Sequence, residues 1–237
     1  MRQAGLWRFP LVTVVVGGVT ALGAVAQAFV PGMLAALERA PAGLYGEWWR
    51  TVTALVVQDG GVVGALSNLF FLVLVGAAAE QVLSRGAWLV QYLGTGLASE
   101  LAGYAWQPVG AGNSVAVCGL AGGLAVALWR GAERAPEWTA PVLLLWCGAL
   151  VATLSAAATL PALVAGAVAA GLAGAARRRG AAVARPVAAV VLVTGIGLAA
   201  ARNIHGAALL IGLAIGLGGW AVSRAGAARS ARRPRPS

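Results

Sequence analysis

Residues 60–79 read GGVVGALSNLFFLVLVGAAA and contain no charged side chain. About 20 such residues in a helix cover the ~30 Å hydrocarbon layer of a bilayer. Lipid offers no partner to a free N–H or C=O, so a run of this kind must be helical to enter the membrane. The pattern recurs along the chain, with apolar segments at roughly 9–30, 60–79, 86–107, 113–129, 138–154, 156–175, 186–201 and 203–222. Of the 237 residues 60% are hydrophobic and only 10% charged, too few charges to cover a soluble surface. The expected fold is all-α, a polytopic transmembrane helix bundle of about eight spans. A six-span alternative folds 138–154 and 156–175 into one re-entrant pair.

The basic residues orient this bundle. All 17 are arginine, and the formal net charge is +10. With the N-terminus inside and eight spans, Arg2, Arg8, Arg85, Arg130, Arg134, Arg177, Arg178, Arg179, Arg185 and the arginines from Arg224 to Arg235 face the cytoplasm. Arg39, Arg50 and Arg202 remain outside, as the positive-inside rule requires. This places residues 1–8 in the cytoplasm, a transmembrane domain over 9–223, and a basic, disordered cytoplasmic tail over 224–237 on anionic headgroups. The distribution also argues against a nucleic-acid partner. Arg2, Arg8, the apolar run and Ala24-Val25-Ala26 admit a second reading, a cleaved signal peptide.

Two cysteines, Cys118 and Cys147, both in apolar segments, and the single His205 make neither a disulfide framework nor a histidine-rich metal centre. Gly119-x-x-x-Gly123 and Gly212-x-x-x-Gly216 provide small faces on which helix backbones can meet.

Polar groups at membrane depth are costly and few: Asn68, Glu100, Ser114 and His205. Ser114 opens the fourth segment and His205 the last, and both segments enter from outside. Asn68 lies ~12 Å along another helix that enters from the same side. A serine hydroxyl, an imidazole and an amide in one layer suit acyl transfer: nucleophile, base and oxyanion donor. The Ser114 backbone N–H is a second candidate donor. The same residues also read as a helix N-cap at Asn113 or Ser114, an interhelical hydrogen bond at Asn68, and an interfacial anchor at His205. Glu100 reads as half of a buried polar contact.

Four stretches and a fifth pair resemble the rhomboid family of intramembrane serine proteases. Glu47-Trp48-Trp49-Arg50-Thr51 is similar to the family's E-x-W-R loop, and Gly60-Gly61 with Asn68 to the start of its second helix and its oxyanion asparagine. Glu80, Gly86, Tyr92 and Gly96 follow its L-E-x-x-x-G…Y-x-x-S-G pattern. Residues 112–122, GNSVAVCGLAG, resemble its G-x-S-G-x-x-[FY]-G-L-x-G nucleophile helix, and His205 with Gly212 its histidine helix. The resemblance implies a rhomboid-like core in a bacterial cell membrane and a Ser114–His205 dyad without a third acid. It also implies Asn68 at the oxyanion, a transmembrane protein as substrate, and no metal or organic cofactor. The chain departs from the pattern where an oxyanion histidine falls on Gly64, a glycine on Val115, and the aromatic that packs on the histidine on Cys118. Two other functions stay open: a catalytically inactive rhomboid-like protein that binds transmembrane helices, and a small transporter.

Overall fold

The computed structural model describes residues 7–132, 134–152 and 184–231, with side chains as far as 221. Seven of the eight apolar segments form helices there; the segment at 156–175 lies outside the described residues. The long elements are α1 (Leu11–Phe29), α4 (Gly61–Val82), α7 (Ser114–Trp129), α8 (Thr139–Ala152), α9 (Ala184–Ala200) and α10 (Ile204–Ala231). Two short helices, α2 (Met33–Leu37) and α3 (Arg50–Thr53), belong to the loop between α1 and α4. The third apolar segment is helical but not uniform. It comprises α5 (Arg85–Leu89), a π-helical turn (Val90–Gly94) and α6 (Thr95–Trp106). α10 is helical through Ala231.

α1, α4 and the Ile204–Ala221 part of α10 are each long and apolar enough to cross a bilayer. Their outward faces carry bare hydrophobes, among them Val15 and Leu22 on α1 and Val63, Leu66 and Phe70 on α4. Water would penalise these faces, whereas hydrocarbon suits them. The chain is therefore a multi-pass helical membrane bundle.

α7 is its axis. Every residue of this helix is buried except Ser114, Ala127 and Trp129. Glycine brings its backbone against α10. A Cβ on Gly122 would lie 2.6 Å from the Gly212 carbonyl carbon, and one on Gly212 would lie 2.7 Å from the Gly119 Cα. Without side chains between them, the two helices gain dispersion contact along their backbones. Gln91, in the π turn, fills the third side of this seam and donates to the Gly212 carbonyl at 3.2 Å.

The two ends of the bundle are closed by different chemistry. At the end bearing Arg8, the Glu80 carboxylate accepts from Thr13 N–H and Thr13 Oγ1, each at 2.8 Å, and from Val12 N–H at 3.2 Å. It thus satisfies donors that the start of α1 leaves free. Gln81 pairs with both backbone groups of Arg8 at 2.9 and 2.8 Å. On the same side the Arg130 guanidinium sits 2.9 Å above the Trp220 ring. The opposite end is capped by the 30–60 loop. Its Arg39 forms a two-residue bridge with Gly110 and a buried ion pair with Glu100, so Glu100 is half of a buried polar contact. Arg50 ion-pairs with Glu47 and donates to the Ala35 and Glu38 carbonyls at 2.8 and 3.1 Å.

Candidate active site

The loop-covered end of the bundle is where the three polar positions expected from sequence come together. α7 begins at Ser114, α10 begins one residue before His205, and Asn68 is two turns into α4. Ser114 Oγ and His205 Nε2 are 2.8 Å apart across 91 residues of sequence. The Ser114 hydroxyl is therefore engaged with the imidazole rather than capping its own helix. Asn113 precedes α7 and makes no side-chain cap either. The amide N–H groups of Ser114 and Val115 belong to the first turn, where no intrahelical carbonyl can accept them.

Gly112 makes the approach possible. Its φ of +133° is a conformation that L side chains rarely adopt. A Cβ there would lie 3.1 Å from Asn68 Nδ2, 3.3 Å from Gln58 Oε1 and 3.7 Å from Ser114 Oγ. Asn68 and Ser114 thus border one small space, and a side chain at 112 would occupy it. Gly112 N–H is tied to the Ala54 carbonyl at 2.8 Å, which fixes the turn to the 30–60 loop.

Several further residues take part. Gln58, buried in the loop, accepts from Asn68 Nδ2 at 2.7 Å. Its own backbone is held by Gln27 of α1, through N–H to Oε1 at 2.8 Å and Nε2 to the carbonyl at 2.7 Å. Asn203 accepts from the His205 ring at Nδ1 (2.8 Å) and from the His205 backbone N–H (2.9 Å). Gln107 Oε1 accepts from Ile204 N–H at 2.9 Å, and the Gln107 carbonyl accepts from Arg39 Nε and Nη2 at 3.0 and 2.8 Å. Isolated amides in loops carry no periodic signal. Only the position of Asn203, directly before a helix, marks it as a cap.

A cavity of about 290 Å³ opens beside this pair, lined by Ser114, His205, Asn68, Gly64, Asp59 and Trp146 among others. The Arg39–Glu100 pair forms part of its wall. Gly64 faces open space, with nothing within 4 Å of where a Cβ would stand. Val115 and Cys118 are buried, at 2% and 0% exposure. Among the described residues no three His, Cys, Asp or Glu side chains gather in a way that could hold a metal. A hydroxyl donating to an unprotonated imidazole nitrogen, beside free N–H groups at a helix start, is an arrangement suited to nucleophilic attack on a carbonyl.

A family model described as the Rhomboid domain matches residues 45–180, more than half the chain. The matched range includes Asn68 and Ser114 and ends before His205. Over 80 residues the chain is 35% identical to the protein named "Rhomboid protease GluP" of Bacillus subtilis, a stretch covering 33% of this chain and 16% of that one. It is 32% identical over 80 residues to "Putative rhomboid protease YdcA" of the same organism, covering 32% of this chain and 40% of that one. The matches therefore span well under half of either relative. No solved structure matches the chain.

Proposed function

The chain belongs to the rhomboid family, and on that premise we propose that it is an intramembrane serine protease that hydrolyses a peptide bond in or beside a transmembrane helix of another membrane protein. The observation that carries this reading is the 2.8 Å contact between Ser114 Oγ and His205 Nε2 at the mouth of a cavity.

In the proposed reaction His205 Nε2 removes the Ser114 proton as Oγ bonds to the scissile carbonyl carbon. The carbonyl oxygen becomes an oxyanion, stabilised by the Ser114 N–H at the positive end of α7 and by the free hydrogen of Asn68 Nδ2. Collapse breaks the C–N bond, and the imidazolium returns its proton to the leaving amine. A water then attacks the acyl carbon as Nε2 takes its proton; the C–Oγ bond breaks, the imidazolium returns the proton to Ser114 Oγ, and the new carboxyl group is released. No cofactor is needed. The arginine distribution supports cytoplasmic termini and a site near the outer surface of the cell membrane. The exposed Tyr45, Trp48 and Trp49 of the 30–60 loop suit the headgroup layer on that side.

The test is cleavage of a reporter transmembrane substrate in proteoliposomes, together with labelling of Ser114 by a serine-reactive phosphonate. Wild type is expected to cut and to be labelled, and Ser114→Ala to do neither. Equal cleavage by both overturns the reading. A second reading, a rhomboid-like protein that binds transmembrane helices without cutting them, is favoured by the empty space at Gly64 where an oxyanion donor would reach. Its signature is substrate capture by wild type with no phosphonate labelling.

A further inference from the structure

We infer that Asn203 is a positioning residue that holds the His205 ring with its proton on Nδ1 and its Nε2 lone pair facing Ser114. The inference rests on the serine-protease reading of the site and adds a third group to a pair expected to act alone.

The assignment follows from what each atom can do. The His205 backbone N–H can only donate, so the Asn203 atom 2.9 Å away must be the amide oxygen. That oxygen is also 2.8 Å from His205 Nδ1. An amide oxygen only accepts, so Nδ1 must carry a hydrogen. In the neutral ring Nε2 is then bare, and it is this nitrogen that meets Ser114 Oγ at 2.8 Å. One side-chain oxygen thereby selects the tautomer in which the imidazole can act as a base. An amide plays the same orienting part in Cys–His–Asn proteases.

The backbone makes Asn203 a firm support. Arg202 N–H bonds to the Ala199 carbonyl and Asn203 N–H to the Leu198 carbonyl, each at 2.9 Å. With Arg202 at φ +54°, this is a Schellman closure of α9. Asn203 is thus the residue that ends one helix and caps the next, and its amide oxygen is engaged by both the backbone and the ring of His205.

The experiment exploits the chain's single histidine. Protein labelled with ¹⁵N in the His205 ring is reconstituted in lipid, and the nitrogen resonances report which atom is protonated. Wild type is expected to show protonated Nδ1 and bare Nε2. Asn203→Ser keeps an oxygen for the helix cap but is too short for the ring, so it should give a mixture of tautomers. Its phosphonate labelling should slow roughly tenfold, the worth of one neutral hydrogen bond, with unchanged thermal unfolding. Asn203→Asp, which retains the acceptor and its reach, should restore the Nδ1-protonated ring, and it serves as the second variant should Asn203→Ser misfold. A wild-type ring bare at Nδ1, or a ring and labelling rate indifferent to Asn203→Ser, overturns the inference. If wild type shows no Ser114-dependent labelling, the protease reading fails, while the nitrogen spectra still decide what Asn203 does.

Discussion

The two walls of the cavity are built in opposite ways. On the α7–α10 side, Gly119, Gly122 and Gly212 press backbone on backbone, and Ser114 and His205 project from the two helices so joined. On the α4 side, Gly64 faces open space and Asn68 donates to Gln58, a loop residue tied to α1 through Gln27 and in longer contact, at 3.5 Å, with Asn113 before α7. The first wall fixes a distance; the second leaves room. Glycine serves both ends, as a contact surface in the seam and as a vacancy at position 64. What decides between them is whether another backbone occupies the place of the missing Cβ.

The largest expected effect comes from filling the seam. Gly212→Val puts branched carbon where Gly119 Cα already stands, and overpacking of this kind costs about 3 kcal/mol. Thermal unfolding in detergent should fall sharply, and labelling of Ser114 with it. The control on the other wall, Gly64→Ala, meets no atom within 4 Å and replaces a helical glycine, so unfolding should be unchanged or shifted upward by at most about 1 kcal/mol. Equal effects at the two positions would erase the contrast.

Next in size is Asn68→Ala. If this amide supplies an oxyanion donor, turnover of a reporter substrate should fall about 10²-fold with little change in KM. Gly64→His tests the same wall in the opposite sense. The space beside Gly64 can admit a side chain, and a new donor there should raise turnover about tenfold, part of what one such donor is worth. A rise with Gly64→His and a fall with Asn68→Ala would locate the weak half of the site on α4. No change in either would shift the burden to the α7 amides.

How far the sequence reveals these walls depends on the range of the interactions. The uncharged run at 60–79 announces α4 because lipid enforces a helix on any such stretch, and α4 is found at Gly61–Val82. The meeting of Ser114 with His205 could be anticipated from shared depth, since both open segments that enter from one side. The π turn at Val90–Gly94 could not. It departs from α-helix by one residue, and what marks it is Gln91 wedged into the glycine seam from a third helix. Arg39 was countable as an outer charge, yet its burial against Glu100 depends on the 30–60 loop folding back over α6. Gln58 and Asn203 act through single amide contacts that leave no periodic trace in composition or hydropathy.

The smallest expected effect probes the turn that carries the seam's chemistry. Arg202 is the one non-glycine residue at positive φ among the described residues, and it occupies the helix-closing position where glycine is usual. Left-handed backbone costs an L residue roughly 1 kcal/mol, offset in part by the greater unfolded-state entropy of glycine. Arg202→Gly should therefore stabilise the protein by somewhat under about 1 kcal/mol in thermal unfolding. If the hydrogen bonds to Leu198 and Ala199 alone hold Asn203 in register, phosphonate labelling will be unaltered. Slower labelling in a protein of equal or greater stability would mean that the arginine's stiffness, beyond the packed glycines below it, contributes to aiming the histidine.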